Sequence, residues 1–143
     1  RPDMSLFLFT EAIKKNKEIK LFNKGNMVRD FTYVDDIAFS VTKLIKKIPK
    51  FKNKNNKKDI PFRILNIGNN KPIRLKNYIK IIEKNLSRNA KKALFPMQKG
   101  EVRYTHASLS NLKKIINFTP KTNINLGIKK FINWHNNYYK YVK

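Results

Sequence analysis

Apolar residues recur at helical spacing at the head of the chain. In RPDMSLFLFTEAIKKNK, Leu6, Phe9 and Ile13 fall on one face, which predicts an entry loop and an amphipathic helix over residues 4–16. EIKLFNKG then reads as a short strand, Ile19 to Phe22, ending at the turn residues Asn23 and Gly25. DFTYV predicts a second short extended piece. DDIAFSVTKLIKKI predicts a helix with Asp35 or Asp36 as N-cap and one stripe of Ile37, Val41, Leu44, Ile45 and Ile48. Residues 49–61, PKFKNKNNKKDIP, have no periodicity and read as a lysine-rich solvated loop. FRILNIG, Phe62 to Gly68, reads as a buried strand ending in a turn.

NNKPIRLKNYIKIIEKNL predicts a short extended piece and a helix over residues 76–86, and KKALFPM a further strand. QKGEVRYTHAS is a loop, and SLSNLKKIINF a short helix. NINLGIKKFINWHNNYYKYVK closes the chain as an amphipathic helix with the stripe Leu126, Ile128, Phe131, Ile132 and His135. His135 reads as a half-buried helix residue rather than a metal ligand, because no second ligand stands near it in sequence. Strands alternating with helices define an α/β or α+β chain. No repeat of fixed period is present.

Charge is the first feature to complicate this picture. The 143 residues carry 33 Lys+Arg against 9 Asp+Glu, a formal net charge of +24. A hydrophobic content of 41% with 10 Phe and 6 Tyr supplies a core, so the chain is not a disordered polycation. The excess suggests nucleic acid. Yet only six cations are Arg, the better bidentate reader of phosphates and bases, and the lysines are spread over nearly every segment. Compositional drift is the better account, and nucleic acid is not the expected partner. The absence of cysteine excludes a disulfide framework and a thiolate metal site, and agrees with a cytoplasmic setting. No apolar run approaches a membrane span.

Several chemistries are missing. The glycines Gly25, Gly68, Gly100 and Gly127 stand alone, and NIGNNKP offers one glycine where a dinucleotide fingerprint needs three. No His/Cys/Asp/Glu cluster has metal spacing, and no serine sits in a nucleophile elbow. Tyr139 and Lys143 are spaced as a Tyr-x-x-x-Lys acid/base pair, but they lie in a lysine-rich tail with no cleft implied around them, and read as a chance match.

Against this background one run stands out: RDFTYVDDIA, an arginine followed by carboxylates and aromatic residues. It resembles the Arg-Asp-aromatic-x-aromatic-Val-x-Asp signature of extended short-chain dehydrogenase/reductase enzymes acting on nucleotide sugars. RPDMSLFLFTEAI, IKLFNKGNMVRDFTYVDDI, FRILNIGNNKPIRLKNYIKIIEKNL, MQKGEV and KFINWHNNYY together resemble, in order, the C-terminal part of bacterial UDP-glucuronate 4-epimerases, and the Arg-Pro-Asp-Met opening is specific to that subgroup. In that family the NAD loop, the catalytic Ser/Thr and the Tyr-x-x-x-Lys pair precede this opening. The resemblance therefore implies an α/β chain made of the end of a Rossmann sheet and a small α/β substrate domain, without the N-terminal Rossmann core. It further implies that residues 34–48 and 62–68 pack on that missing sheet.

The family enzymes use tightly held NAD to move a hydride off and back onto the sugar C4. For this chain alone the resemblance implies a UDP-sugar as partner, no bound NAD and no catalytic residue. It also implies a homodimeric family habit and room for a separately encoded N-terminal half. A decarboxylase or dehydratase on UDP-sugars, or a basic nucleic-acid module, are the alternatives. Residue by residue, Arg1 matches the arginine near the sugar carboxylate, where a guanidinium receives a carboxylate bidentately. Lys20 and Phe22 match the segment flanking the uracil, although Phe22 reads equally as strand core. Arg29 matches the arginine on the diphosphate, and Asp30 and Asp36 match structural positions. Gln98 lies where relatives place a polar or cationic group near the phosphates. Glu101 stands where relatives carry an Asp that holds the ribose hydroxyls, and is one methylene longer. Ser108 is a second departure from a common Asp.

Overall fold

A computed structural model describes residues 2–51 and 60–141. Arg1, part of the 49–61 loop, and Lys143 of the terminal pair lie outside the described residues. The chain divides into two compact units, each discontinuous in sequence: residues 1–29, 72–105 and 123–143 form one, and residues 30–71 and 106–122 the other.

The first unit contains α1 (Ser5–Lys14), β1 (Glu18–Leu21) and β2 (Val28–Arg29). It continues with β3 (Ile73–Arg74), α3 (Leu75–Leu86) and β4 (Lys91–Leu94), and ends with α5 (Ile124–Tyr141). β1 pairs in parallel with β4 from Glu18↔Lys91 to Leu21↔Leu94, and β2 pairs antiparallel with β3. β1 alternates exposed and buried residues, so Ile19 and Leu21 face inward while Glu18 and Lys20 face out. Phe9 and Ile13 of α1, Tyr78, Ile79 and Ile82 of α3, and Ile128 and Ile132 of α5 complete the core. The sequence periodicity located these three helices. β1 ends one residue earlier than expected, because Phe22 opens a tight turn in which Asn23, Lys24 and Gly25 all have positive φ (50°, 52° and 75°). The extended piece expected at DFTYV lies two residues upstream, at Val28–Arg29.

The second unit contains α2 (Val34–Ile45) and α4 (Ser110–Ile116). Its core is Leu109, Leu112 and Ile116, packed by Leu44, Leu65, Ile67, Ala107, Ile115 and Phe118. Two expectations need correction here. Neither Asp35 nor Asp36 caps α2: Tyr33 is the N-cap residue, without a side-chain cap. Asp36 instead turns its carboxylate to the 121–122 backbone. Residues 62–68 are not a buried strand. They form no regular element, and Phe62 and Ile64 are 73% and 82% exposed. No backbone ladder covers this run among the described residues, so its alternate side chains remain in solvent, and only Leu65 and Ile67 reach the α4 cluster. The α2 stripe is divided in the same way. Leu44 packs inward, while Val41, Ile45 and, beyond the helix end, Ile48 are exposed.

Candidate functional site

The expected site residues of the first unit fall into two groups. In the first, β1 carries Lys20 outward and delivers Phe22 to the turn after it. The Phe95 amide donates to the Leu21 carbonyl (2.9 Å) and the Lys24 amide donates to the Phe95 carbonyl (3.0 Å), so the segment after β4 is stitched to that turn. The rings of Phe22 and Phe95 then lie 5.8 Å apart, with Lys20 Nζ 6.0 Å from the centre of Phe95. Two consecutive non-glycine residues in the left-handed region, Asn23 and Lys24, are backbone strain of the kind concentrated at binding sites. Phe22 is half-buried, neither plain core nor free. Phe95 was not singled out from sequence. The signal was there, an aromatic residue leaving a strand immediately before a proline, but nothing tied it to Phe22.

In the second group, Arg29 ends β2. The Val28 amide donates to the Arg103 carbonyl (2.9 Å) and the Thr105 amide donates to the Val28 carbonyl (3.2 Å), laying residues 103–105 alongside β2. Gly100, at φ +82°, turns the chain, and the Glu101 amide donates to the Gln98 carbonyl (3.3 Å). Glu101 is returned against Arg29: Nη2 donates to Oε2 at 3.0 Å, while Nη1 donates to the Val28 carbonyl, also at 3.0 Å. Gln98 is exposed at the same turn. The structure therefore joins Arg29, Gln98 and Glu101, and joins Lys20 and Phe22 through Phe95.

In the second unit the carboxylates of the RDFTYVDD run act on backbone. Asp30 accepts from the Asn70 amide through Oδ2 (3.0 Å) and from the Lys71 amide through Oδ1 (3.3 Å). Asp36 Oδ2 accepts from the amides of Lys121 (3.1 Å) and Thr122 (2.8 Å). Gly68 is required by close approach: a Cβ there would stand 2.5 Å from the Ala107 Cβ and 3.0 Å from Asp30 Oδ2. NIGNN is thus a packed turn clamped by Asp30. Ser108 pairs with the Ser110 hydroxyl at 3.4 Å.

His135, expected half-buried, is fully buried in the first unit. Rings of Phe7, Phe131, Trp134 and Tyr139 surround it at 4.8–6.4 Å. Lys14 Nζ stands 3.3 Å from Nδ1, and Glu11 Oε1 2.8 Å from Nε2 at an angle that leaves Nε2 without a well-formed hydrogen bond. Burial and then the Lys14 charge hold its pKa below the ordinary value. Lys15, paired with Glu11 at 2.5 Å, holds that carboxyl low as well. Among the described residues no group of three His, Asp or Glu could hold a metal ion, and no helix is long and apolar enough to cross a membrane.

The model of the NAD dependent epimerase/dehydratase family matches residues 1–68. Among individual proteins the chain is similar to Protein CapI of Staphylococcus aureus, at 42% identity over 98% of this chain and 44% of that protein. It is similar to UDP-glucuronate 4-epimerase 4 of Arabidopsis thaliana, at 37% identity over 97% of this chain and 33% of that protein. Its fold matches the crystal structure of UDP-glucuronic acid 4-epimerase from Bacillus cereus in complex with UDP-glucuronic acid and NAD. That match has a TM-score of 0.82, covers 97% of this chain and 41% of the other, and at 24% identity establishes the fold alone. The chain spans less than half the length of each of these relatives.

Proposed function

We propose that this chain is the substrate side of a UDP-glucuronate/UDP-galacturonate 4-epimerase type enzyme, holding the UDP part of a UDP-sugar without the NAD loop or the catalytic groups. The observation that carries the reading is that Glu101 meets both Arg29 and the Gln98 backbone, in the same unit as the Phe22–Phe95 pair with Lys20 beside it. A diphosphate is a dianion suited to a fixed guanidinium, and a pyrimidine suits a partly exposed aromatic face. NAD does not fit the described residues. β1 runs into a tight turn rather than a helix, and the one glycine that follows an apolar run, Gly68, is filled against Ala107 and Asp30. The exposed Ile45, Ile48, Phe62 and Ile64 support the reading of residues 34–48 and 62–68 as a face built to be covered.

Calorimetric titration of the chain with UDP, UDP-glucuronate and NAD tests this. Saturable binding of UDP and UDP-glucuronate with none of NAD is the expected result. NAD binding without UDP binding would reverse the assignment. A second reading, binding of a polyanion, is favoured by a cleft of about 580 Å³ in the second unit lined by Lys43, Lys46, Lys47 and Lys114. Its signature is a steep loss of random-DNA binding with salt.

A further inference from the structure

We propose that Glu101 is a built-in counter-ion for Arg29. Its carboxylate occupies the place of a phosphate oxygen, so nucleotide binding is an exchange of one anion for another. The inference deepens the UDP-binding reading and rests on it. Both outer nitrogens of the Arg29 guanidinium are engaged, Nη2 by Glu101 and Nη1 by the Val28 carbonyl. The carboxylate is delivered by the backbone. The parallel bridge Val28↔Tyr104, the amide contacts of Val28 and Thr105, and the turn at Gly100 fix where residue 101 stands relative to residue 29. Glu101 therefore leaves Arg29 only by rotating its side chain. Two other acids of this unit are committed elsewhere, Glu83 to Lys92 and the Ala90 amide and Glu11 to Lys15 and His135.

The strength of the pair suits exchange. The two side chains retain 25% and 36% exposure, and ion pairs this open are weak. A diphosphate presents several oxygens to the same fork and outcompetes a single carboxylate. Once displaced, Glu101 is free to accept hydrogen bonds from hydroxyls of the bound nucleotide. One residue then sets a threshold: lone monoanions compete poorly for Arg29, and polyvalent phosphates displace its partner.

The test is titration of inorganic diphosphate and of chloride against the full chain at low ionic strength, with UDP alongside. For Glu101→Gln, which keeps shape and removes the charge, diphosphate affinity rises about two- to fivefold, the range of an exposed ion pair, and chloride begins to compete. Glu18→Gln, which removes an exposed carboxylate of β1 that is not paired with Arg29, controls for net charge and leaves diphosphate affinity unchanged. Equal effects of Glu101→Gln and Glu18→Gln overturn the counter-ion role. If wild type binds UDP and Arg29→Ala does not, the UDP reading survives that failure. If Arg29→Ala binds UDP like wild type, the UDP reading itself fails.

Discussion

Lowering the pH removes stability from the first unit through one side chain, His135. Its ring is fully buried against Phe7, Phe131, Trp134 and Tyr139, with the Lys14 ammonium on one nitrogen and Glu11 on the other. Its folded pKa lies below the ordinary 6.5, because burial and then Lys14 disfavour the imidazolium, and Glu11 offsets this only in part. Between the folded and unfolded values the unfolded chain binds more protons, so stability rises with pH. It is lost as pH falls below 6.5, by at most about 1.4 kcal/mol per pH unit. Glu11, lowered from 4.5, gives its own loss in the same direction but only as pH falls below that value.

Trp134 is the only tryptophan, and its ring centre is 6.4 Å from that of His135. Urea unfolding followed by its fluorescence at stepped pH from 7.5 to 5 therefore reads this unit. His135→Leu keeps bulk and removes titration. It should flatten the pH dependence. His135→Ala should cost about 3–5 kcal/mol at all pH values, as for truncating a buried aromatic side chain. A wild-type and His135→Leu pair with the same slope would refute the assignment.

Arg29→Ala should weaken UDP binding by about 1.5–3 kcal/mol, the range for hydrogen bonds to a charged group, measured by calorimetry. Asp36→Ala removes the acceptor of two backbone amides and should cost about 2–4 kcal/mol, with faster amide exchange at Lys121 and Thr122. Unchanged exchange there would dismiss the clamp. Sedimentation should show the chain self-associating through its exposed apolar face, and Ile45→Lys combined with Ile64→Lys should return it to monomer. Gly68→Ala should destabilise the second unit by about 1–3 kcal/mol by overpacking against Ala107, read as a lower thermal midpoint.

Helices were legible because their apolar residues repeat where a core receives them. Phe9 and Ile13, Ile79 and Ile82, and Ile128 and Ile132 are periodic and buried. Periodicity cannot say what lies opposite. Ile37, Val41, Leu44, Ile45 and Ile48 make as regular a stripe, yet Val41, Ile45 and Ile48 are exposed, because regularity records the intent to pack and not the partner. FRILNIG misled for the same reason. Asp36 looked like an N-cap because local spacing is all that sequence displays, whereas its partners stand 85 and 86 positions away. The meeting of Arg29 with Glu101, 72 positions apart, was equally invisible as a contact, although both residues had been picked out singly. Phe95 was missed because its meaning is a neighbour and not a motif.

The parallel pairing of β1 with β4 has a consequence for the chain as it is made. Partners such as Glu18 and Lys91 are 73 positions apart, and residues 30–71 belong to the other unit. At a synthesis rate of about 5–20 residues per second, β1 waits about 4–15 seconds for the strand that completes it. During that wait Ile19 and Leu21 have no sheet to bury them, and the strand edge is open to any extended segment nearby. Glu18 and Lys20, alternating with them, place a charge at every second position of the waiting strand. These outward charges thus discourage premature pairing in the nascent chain.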